Sequence, residues 1–383
     1  ICAVSGLELA ATGTNMVFAP VVDVNSNPFN PVIGVRSFGE QAPRVAKHGA
    51  AAVGGYQRYV AAVAKHFPGH GDTELDSHLS LPVVHHGRKR LEEVEFLPFK
   101  EAIAQKVLGI MTAHVVFPAI EPTPGLPATL SYRVLTELLR KEFGFEGLII
   151  TDCMEMAAIA DTFGTVEAAV MAVEAGADLI LISQTEARQI GAFEAIVAAV
   201  KSGRISEERL DQSLQRILKV KNLTLSKPQP ELDLVGSLEH KEIVRESIRR
   251  SITVVQDQGN LPLKGGNLLV VEPIKPAANI AEDKLLNVGT LAAALQAQGL
   301  TGLEQMAVSA GVTPAERRAV LAKAHGFDQV LVVTSDAHRQ KGQAELVRAL
   351  VEEGIRVIAV GARTPYELAS FPTVPTYVAA YGS

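Results

Sequence analysis

The stretch Gly147-Leu148-Ile149-Ile150-Thr151-Asp152 is an apolar run that ends on a carboxylate. Burying an aspartate carboxylate costs free energy unless it is paired or hydrogen-bonded, so its presence here indicates a specific contact or a function. The run predicts a strand at 148–153. Similar short runs, which alternate with helical patterns, occur elsewhere in the first 220 residues, at 16–24, 60–66, 108–115 and 177–183. Strands that alternate with helices predict parallel βα units, and nearly continuous apolar runs are typical of strands buried on both faces.

The polar residues of these runs lie at their C-terminal ends, at Asp23, Lys65, His66, His114, Asp152 and Ser183. In a (β/α)8 barrel, that end of the strands is the active-site face. We therefore predict an α/β fold with a TIM-type (β/α)8 barrel at residues 1–221. Only five of eight strands are recognisable, and the chain starts at Ile1 within a helical pattern, so we expect the N-terminal strands of the barrel to be missing.

Helices are predicted within this domain at 40–59, 91–105, 131–142, 166–175, 185–202 and 206–221. A linker at 222–236 follows, since it carries two prolines and no periodicity. Residues 237–383 predict a smaller, doubly wound α/β domain, with strands at 268–271, 329–334, 357–360 and 376–380 and helices at 238–251, 291–297, 314–324 and 343–353.

Composition narrows the range of partners. The net charge of −6 provides no basic surface for nucleic acid or anionic membranes, and no apolar run approaches the length of a membrane span. Only Cys2 and Cys153 are present, far apart in sequence, so neither a disulfide framework nor a cysteine-rich metal site is expected. A small neutral substrate fits this composition best.

The loop after the second run reads Lys65-His66-Phe67-Pro68-Gly69-His70-Gly71-Asp72-Thr73-Glu74-Leu75-Asp76-Ser77-His78. Its glycines and proline predict an irregular loop at a strand end, where catalytic groups are commonly held on a rigid scaffold. Asp76 can hydrogen-bond the imidazole of His78 and select its tautomer, which makes a tunable proton donor. The alternative for this pair is a purely structural contact within the loop.

Asp152 is the candidate nucleophile toward an electrophilic sugar carbon. Cys153 is a competing nucleophile, but its side chain would point the opposite way from the strand and pack as a small apolar group. Glu155 is a second competing carboxylate, on the turn after the strand. In the turn-rich loop after the first run, Arg36 could clamp hydroxyl groups and Asp23 could accept them. His114, at the end of its run, is a further candidate substrate-binding residue.

A metal site is a further alternative, because potential ligands are dense at His66, His70, Asp72, Asp76, His78 and His114. The HEXXH spacing of a helical zinc site is absent, and glycines interrupt the spacing in the loop. We therefore predict no metal.

The chain resembles glycoside hydrolase family 3, in particular its β-N-acetylglucosaminidase branch. The resemblance rests on the 65–78 loop with the Leu81-Pro82 that follows, and on five shorter motifs: Phe18-Ala19-Pro20-Val21-Val22-Asp23-Val24, Arg36-Ser37-Phe38-Gly39, Met111-Thr112-Ala113-His114, Pro127-Ala128-Thr129-Leu130-Ser131 and Ile150-Thr151-Asp152. These motifs occur in the family's order. The resemblance implies that His78 is the acid/base supported by Asp76, that Asp152 is the nucleophile, and that Arg36, Lys65 and His66 bind the sugar.

This resemblance implies a retaining exo-β-N-acetylglucosaminidase that needs no metal or organic cofactor and acts on muropeptides or chitin-type oligosaccharides. It also implies an α/β sandwich as the second domain and an extracellular or wall-associated enzyme, with a cytoplasmic location as the alternative. The family's first barrel strand is not found, so this chain by itself could be inactive. A phosphorylase, a β-glucosidase of the same family and an inactive sugar-binding protein are the rivals, and the oligomeric state is left open.

Overall fold

The computed structural model describes residues 1–74, 81–263, 266–274 and 290–382. The chain divides into two compact units, Ile1–Val244 and Arg245–Ser383. None of the described helices combines the length and the apolar character that a bilayer span requires.

The first unit is built on a parallel sheet whose five strands lie side by side in chain order. This half-barrel confirms the predicted α/β class, whereas closure into eight strands stays a prediction. The strands are β1 (Met16–Val17), β2 (Ala61–Phe67), β3 (Gly109–Thr112), β4 (Leu148–Cys153) and β5 (Leu179–Leu181).

Helices connect the strands of this unit and precede the first of them. They are α1 (Cys2–Ala11), α2 (Ala42–Tyr56), α3 (Arg88–Glu93), α4 (Leu97–Ala104), a π-helix (Arg133–Glu142), α5 (Ala157–Ala160), α6 (Thr165–Ala175), α7 (Glu186–Lys201) and α8 (Glu207–Leu225). The helix α8 starts where predicted, since the Ser206 hydroxyl accepts the Arg209 N–H and caps its first turn.

The three central strands of the half-barrel are buried on both faces. In β4, Ile149 packs in the large core that also contains Phe99 of α4 and Leu135 of the π-helix, while Leu148 and Ile150 pack on the opposite face. Successive side chains of a strand point to opposite faces, so a strand covered on both sides requires an unbroken apolar run. This is the physical origin of the run at 148–150.

Apart from shifts of a few residues at element ends, three elements of this unit differ from the predictions. The predicted helix 91–105 is two helices, because the chain turns at 94–96 and Pro98, which has no N–H to donate, lies in the first turn of α4. The helix predicted at 131–142 forms as the π-helix. The run at 16–24 is in regular sheet only at Met16–Val17, followed by an isolated bridge from Val21 to Lys65. Pro20 interrupts the strand, since proline cannot donate to a ladder.

The segment predicted as a linker has local structure in part. Helix α8 continues to Leu225, so residues 222–225 are helical. Beyond it, the Gln229 side chain donates to the Ala11 carbonyl at 3.0 Å, and the Gly236 N–H donates to Glu8 at 2.8 Å. The predicted domain boundaries themselves stay a prediction.

The second unit contains a six-stranded sheet in the order β6-β11-β10-β9-β7-β8. All pairings are parallel except that of β6. Its elements after α9 (Leu238–Ser251) are β6 (Thr253–Asp257), β7 (Leu268–Pro273), α10 (Leu291–Ala297), β8 (Leu303–Val308), α11 (Pro314–Ala324), β9 (Gln329–Thr334), α12 (Lys341–Glu352), β10 (Val357–Gly361) and β11 (Thr376–Ala379).

The five parallel strands follow the doubly wound order, in which the chain reverses direction across the sheet beside β7. This confirms a second α/β sheet domain. The two edge strands, β6 and β8, were not predicted from the sequence. Glu304 and Gln305 interrupt the apolar pattern of β8, and most of β6 is exposed, so neither shows the apolar run of a strand buried on both faces.

Candidate active site

Polar side chains from neighbouring strands converge at the carboxyl edge of the half-barrel. Lys65 and His66 belong to β2, His114 follows β3 by two residues, and Asp152 belongs to β4. The three cationic or titratable groups all act electrostatically on the Asp152 carboxylate. Parallel pairing of β2, β3 and β4 brings these strand ends together, as expected for a barrel's active face.

Asp152 is a partly exposed carboxylate with one oxygen engaged. Its Oδ1 accepts the N–H of Cys153 at 2.7 Å. Burial by itself would raise the pKa of Asp152, but the charges of His66 and His114, the Cys153 N–H and Lys65 together lower it below the ordinary range. Asp152 is therefore ionised at neutral pH, as a nucleophile must be.

Asp23 is a buried carboxylate that holds two histidines of the loop. It accepts His66 Nδ1 at 2.7 Å and the His70 N–H at 2.8 Å. Burial would raise the pKa of Asp23, but the facing His66 and the His70 N–H lower it. Because a carboxylate only accepts, Nδ1 of His66 carries a proton, and Nε2 is the ring nitrogen that does not bond Asp23. The predicted contact of Asp23 with sugar hydroxyls stays a prediction.

Arg36 ends a short 3-10 helix, Gly34–Arg36, in the loop after Asp23. The hydroxyl of Ser37 donates to the Asp23 carbonyl at 2.6 Å and fastens this loop to the β1 side of the sheet. Burial and the neighbouring Arg36 charge lower the pKa of Lys65, although Asp152 and Asp23 act in the opposite direction. The Arg36 and Lys65 charges are thus close enough to repel one another, and Nη1 of Arg36 donates to the Val32 carbonyl at 3.3 Å.

His114 lies deeper than the other predicted binding residues, with a relative exposure of only 1%. Its Nδ1 lies 2.8 Å from the Thr129 hydroxyl, and its Nε2 lies 3.0 Å from the carbonyl oxygen of Cys153. Both ring nitrogens thus contact protein groups.

The first part of the 65–78 loop is held by residues for which the sequence predicted no role. The Asn30 amide donates to the His70 carbonyl at 2.8 Å, and Nδ1 of His70 contacts the Thr73 hydroxyl at 2.9 Å. Burial and His66 lower the pKa of His70 to about 4, so it is neutral under ordinary conditions. A Cβ on Gly71 would lie 1.8 Å from the Val24 carbonyl oxygen, which explains the glycine.

The predicted acid/base pair, Asp76 and His78, lies outside the described residues. The chain on both sides of it is held in place. Asp72 contacts His86 Nε2 at 2.5 Å, and an isolated parallel bridge joins Val83 to Val116. The assignment of the proton donor stays a prediction.

Glu155, the competing carboxylate, is occupied elsewhere. Its oxygens accept three successive backbone N–H groups at 2.6–3.1 Å in the turn that leads into α7, those of Ser183, Gln184 and Thr185. A carboxylate saturated by backbone donors is a poor nucleophile, because these bonds stabilise the charge that an attack would consume. The geometry favours Asp152 over Glu155.

Comparison with known proteins identifies the family. The sequence pattern of the glycosyl hydrolase family 3 N-terminal domain matches residues 1–220. The chain belongs to glycoside hydrolase family 3. The predicted resemblance and the assignment to an enzyme family are thereby confirmed.

Relatives in this family extend over both units. The chain is 32% identical over 406 residues to β-hexosaminidase A of Pseudoalteromonas piscicida, covering 96% of this chain and 67% of that protein. It is 33% identical over 276 residues to a β-N-acetylglucosaminidase/β-glucosidase of Cellulomonas fimi, covering 68% of this chain and 48% of the relative.

A solved structure of a family 3 β-N-acetylglucosaminidase from Paenibacillus sp. str. FPU-7 is 42% identical and superposes with a TM-score of 0.90. That match covers all of this chain and 74% of the other. A fungal multi-domain family 3 β-N-acetylglucosaminidase is 32% identical, with a TM-score of 0.88 over all of this chain and 45% of that one.

Proposed function

We propose that this protein is a retaining exo-β-N-acetylglucosaminidase. The observation that carries the proposal is the ionised Asp152, at the carboxyl edge of the half-barrel. One of its carboxylate oxygens has no hydrogen-bond partner among the described residues, and Lys65 and His66 stabilise its charge. The names of the relatives support the sugar, since hexosaminidase or N-acetylglucosaminidase occurs in each of those described above.

The proposed reaction is a double displacement. The second oxygen of Asp152 attacks the anomeric carbon while the bond to the leaving oxygen breaks, and His78 protonates that oxygen. His78 then takes a proton from water, which attacks the same carbon and releases Asp152. Two inversions leave the anomeric configuration unchanged.

In this proposal, groups around Asp152 hold the terminal sugar. The Arg36 and Lys65 side chains donate to its hydroxyl groups, and Nε2 of His66 accepts from another. The chain contains no Trp, so hydrogen bonds carry most of the recognition. Muropeptide or chitin-type oligosaccharides are the proposed substrates, and an extracellular or wall-associated location is the proposed setting.

A covalent trap tests the nucleophile. A 5-fluoro N-acetylglucosaminide with a good leaving group should accumulate as an ester on Asp152, found by peptide mass spectrometry. Asp152→Asn should lose turnover by about 10³-fold or more while it still binds N-acetylglucosamine. Asp161→Asn, a change of the same kind at an exposed position, is the matched control. Ester formation on Glu155, or near-normal turnover of Asp152→Asn, would contradict the assignment.

Two further assays separate the rivals. Turnover of an aryl N-acetylglucosaminide that requires inorganic phosphate, with a sugar phosphate as product, would replace the hydrolase by a phosphorylase. Tight sugar binding without turnover in either buffer would replace it by a sugar-binding protein.

A further inference from the structure

Regular backbone hydrogen bonding does not hold the C-terminal end of strand β4 in place. Its ladder with β3 ends at the pair Met111 and Ile150, two residues before Asp152. On the other side, the register with β5 shifts between Ile150 and Cys153. Asp152 therefore lies where regular sheet hydrogen bonding has stopped on one flank and is irregular on the other.

Side-chain and backbone contacts around Cys153 take over this role. The His114 Nε2 lies 3.0 Å from the Cys153 carbonyl oxygen, and the next N–H, that of Met154, donates to the Leu181 carbonyl at 2.8 Å. The peptide group after Cys153 is thus held at both its oxygen and its nitrogen. The N–H of the same Cys153 donates to Asp152, so the orientation of this residue sets the position of the carboxylate.

We propose that His114 is a positioning residue for the nucleophile rather than a contact to the sugar. Its imidazole bridges the end of β3 to the end of β4 through the Cys153 carbonyl, and Thr129 holds the ring from the other side. The proposal rests on the proposed function, in which Asp152 is the nucleophile.

The two threonines beside His114 allow this bridge to exist in either charge state. The Thr129 hydroxyl lies 2.8 Å from His114 Nδ1, 2.8 Å from the Thr112 hydroxyl and 2.9 Å from the Ala113 carbonyl. The Cys153 carbonyl can only accept, so Nε2 of His114 carries a proton in both states.

When His114 is neutral, Thr129 donates to its Nδ1, and Thr112 donates to Thr129. When His114 is cationic, its Nδ1 donates to Thr129, and the Thr129 proton turns to the Ala113 carbonyl. Neither state leaves the ring nitrogens without a partner or requires the ring to move.

This adaptability matters during the reaction. Ester formation consumes the negative charge of Asp152, which is one of the charges that His114 faces. Lys65 and His66 of β2, and the buried His70 of the following loop, also interact electrostatically with Asp152. A bridge that accepts either charge state holds the strand end through both displacement steps, whereas one tied to a single state would lose a bond.

The test compares His114→Leu with His114→Gln. Leucine removes the donor to the Cys153 carbonyl, and glutamine restores a donor at about the position of Nε2. We expect His114→Leu to slow glycosyl-enzyme formation at saturating substrate by about 10². The dissociation constant of N-acetylglucosamine should change less than about twofold, and His114→Gln should recover most of the rate.

A readout independent of turnover is the ¹³C NMR titration of the Asp152 carboxyl group. Loss of His114 should raise the pKa of Asp152, because His114 is one of the groups that lower it. An unchanged titration and rate in His114→Leu would overturn the inference. So would a more than tenfold loss of sugar affinity with an unchanged rate at saturation, since that marks a sugar contact.

Threonine variants cover the case in which His114→Leu does not fold. Thr129→Val keeps the volume but removes the hydroxyl at Nδ1, so a smaller loss of rate is expected, and Thr129→Ser should restore it. Thr136→Val is the matched control, since it deletes a hydroxyl bonded to the Ala175 carbonyl at 2.7 Å. Equal effects of Thr129→Val and Thr136→Val on rate and titration would overturn the inference. Wild-type protein without turnover would instead reject the proposed function, and the titration would still decide the role of His114.

Discussion

Asp23 shows how one buried carboxylate organises the site at the scale of residues. Its side chain has no exposure, and it receives the ring of His66 and the backbone N–H groups of His66 and His70. Hydrogen bonds to a charged acceptor are worth about 1.5–3 kcal/mol each, so the loop conformation depends strongly on this group. Asp23 therefore links the stability of the loop to the orientation of His66.

Asp23→Asn is expected to destabilise the protein by about 3–5 kcal/mol at pH 7. The substitution breaks the buried contact with His66, and it places an amide NH₂ group where the N–H groups of His66 and His70 need an acceptor. Urea unfolding measures the change. The folded-state pKa of Asp23 is lowered, so its stabilising contribution exists above the unfolded value and disappears as pH falls through the folded one. The deficit of the variant should therefore shrink below about pH 4.

The same variant should lose turnover, because His66 is no longer held in one tautomer. Asp161→Asn, at an exposed position, serves as the control and should change stability by less than about 0.5 kcal/mol. A deficit for Asp23→Asn that is independent of pH would show that the charge of Asp23 does not carry the effect.

At the scale of elements, one carboxylate joins a strand to the helices around it. Asp178, just before β5, is fully buried and pairs with Arg140 of the π-helix and Arg216 of α8. Its Oδ1 also accepts the Ser213 hydroxyl of α8 at 2.6 Å, and Oδ2 accepts the Ile149 N–H of β4 at 2.9 Å. Burial is the main reason that the pKa of Arg140 is lowered to about 10, despite the opposing effect of Asp178.

Asp178→Asn should cost about 3–5 kcal/mol of unfolding free energy, because it leaves partly buried arginines without their counter-charge. The matched control is Glu174→Gln, which removes a partner of Arg204 on the surface. That change should cost about 1 kcal/mol or less. If the two variants lose the same unfolding free energy in chemical denaturation, the ion pairs of Asp178 contribute no more than an ordinary surface ion pair.

At the scale of the whole molecule, each unit has its own core and its own titrating group. In the second unit, Glu367 is fully buried, and its carboxylate contacts the Thr334 hydroxyl and accepts the Asp336 N–H at 2.8 Å. Burial, together with the Asp336 charge, raises the pKa of Glu367 to about 7, although the hydrogen bonds oppose the shift. The second unit therefore favours a protonated Glu367.

The raised folded-state pKa of Glu367 gives the second unit a stabilising contribution at low pH. The contribution is present below the unfolded value near 4.5 and is lost as pH rises through about 7. The free energy of unfolding is expected to fall by about 3 kcal/mol over this range, which is the energetic equivalent of the raised pKa of Glu367. Hydrogen exchange of the β9 and β10 amides should report it, and Glu367→Gln should remove the pH dependence. Glu352→Gln, at an exposed position, is the control, and an unchanged pH dependence in Glu367→Gln would reject the assignment.

Much of the architecture was predictable because its causes are local. Strand β4 was predicted at its observed bounds, since a strand covered on both faces must be an unbroken apolar run. Strand β9, at Gln329–Thr334, was predicted for the same reason. The edge strands β6 and β8 were missed, because burial on both faces did not impose that pattern on them.

The sequence by itself determined which chemical groups stand at the strand ends, since Asp152, Lys65 and His66 follow directly from the apolar runs that precede them. Only the tertiary structure decided which of the two carboxylates, Asp152 or Glu155, is available as a nucleophile. Backbone N–H groups from a turn about 30 residues away bind the Glu155 carboxylate. Within the part of the chain that the structure describes, one oxygen of Asp152 has no hydrogen-bond partner. The tertiary structure also placed Thr129 beneath His114. Hydrogen bonds between strands depend on distance in space, which no spacing along the chain specifies.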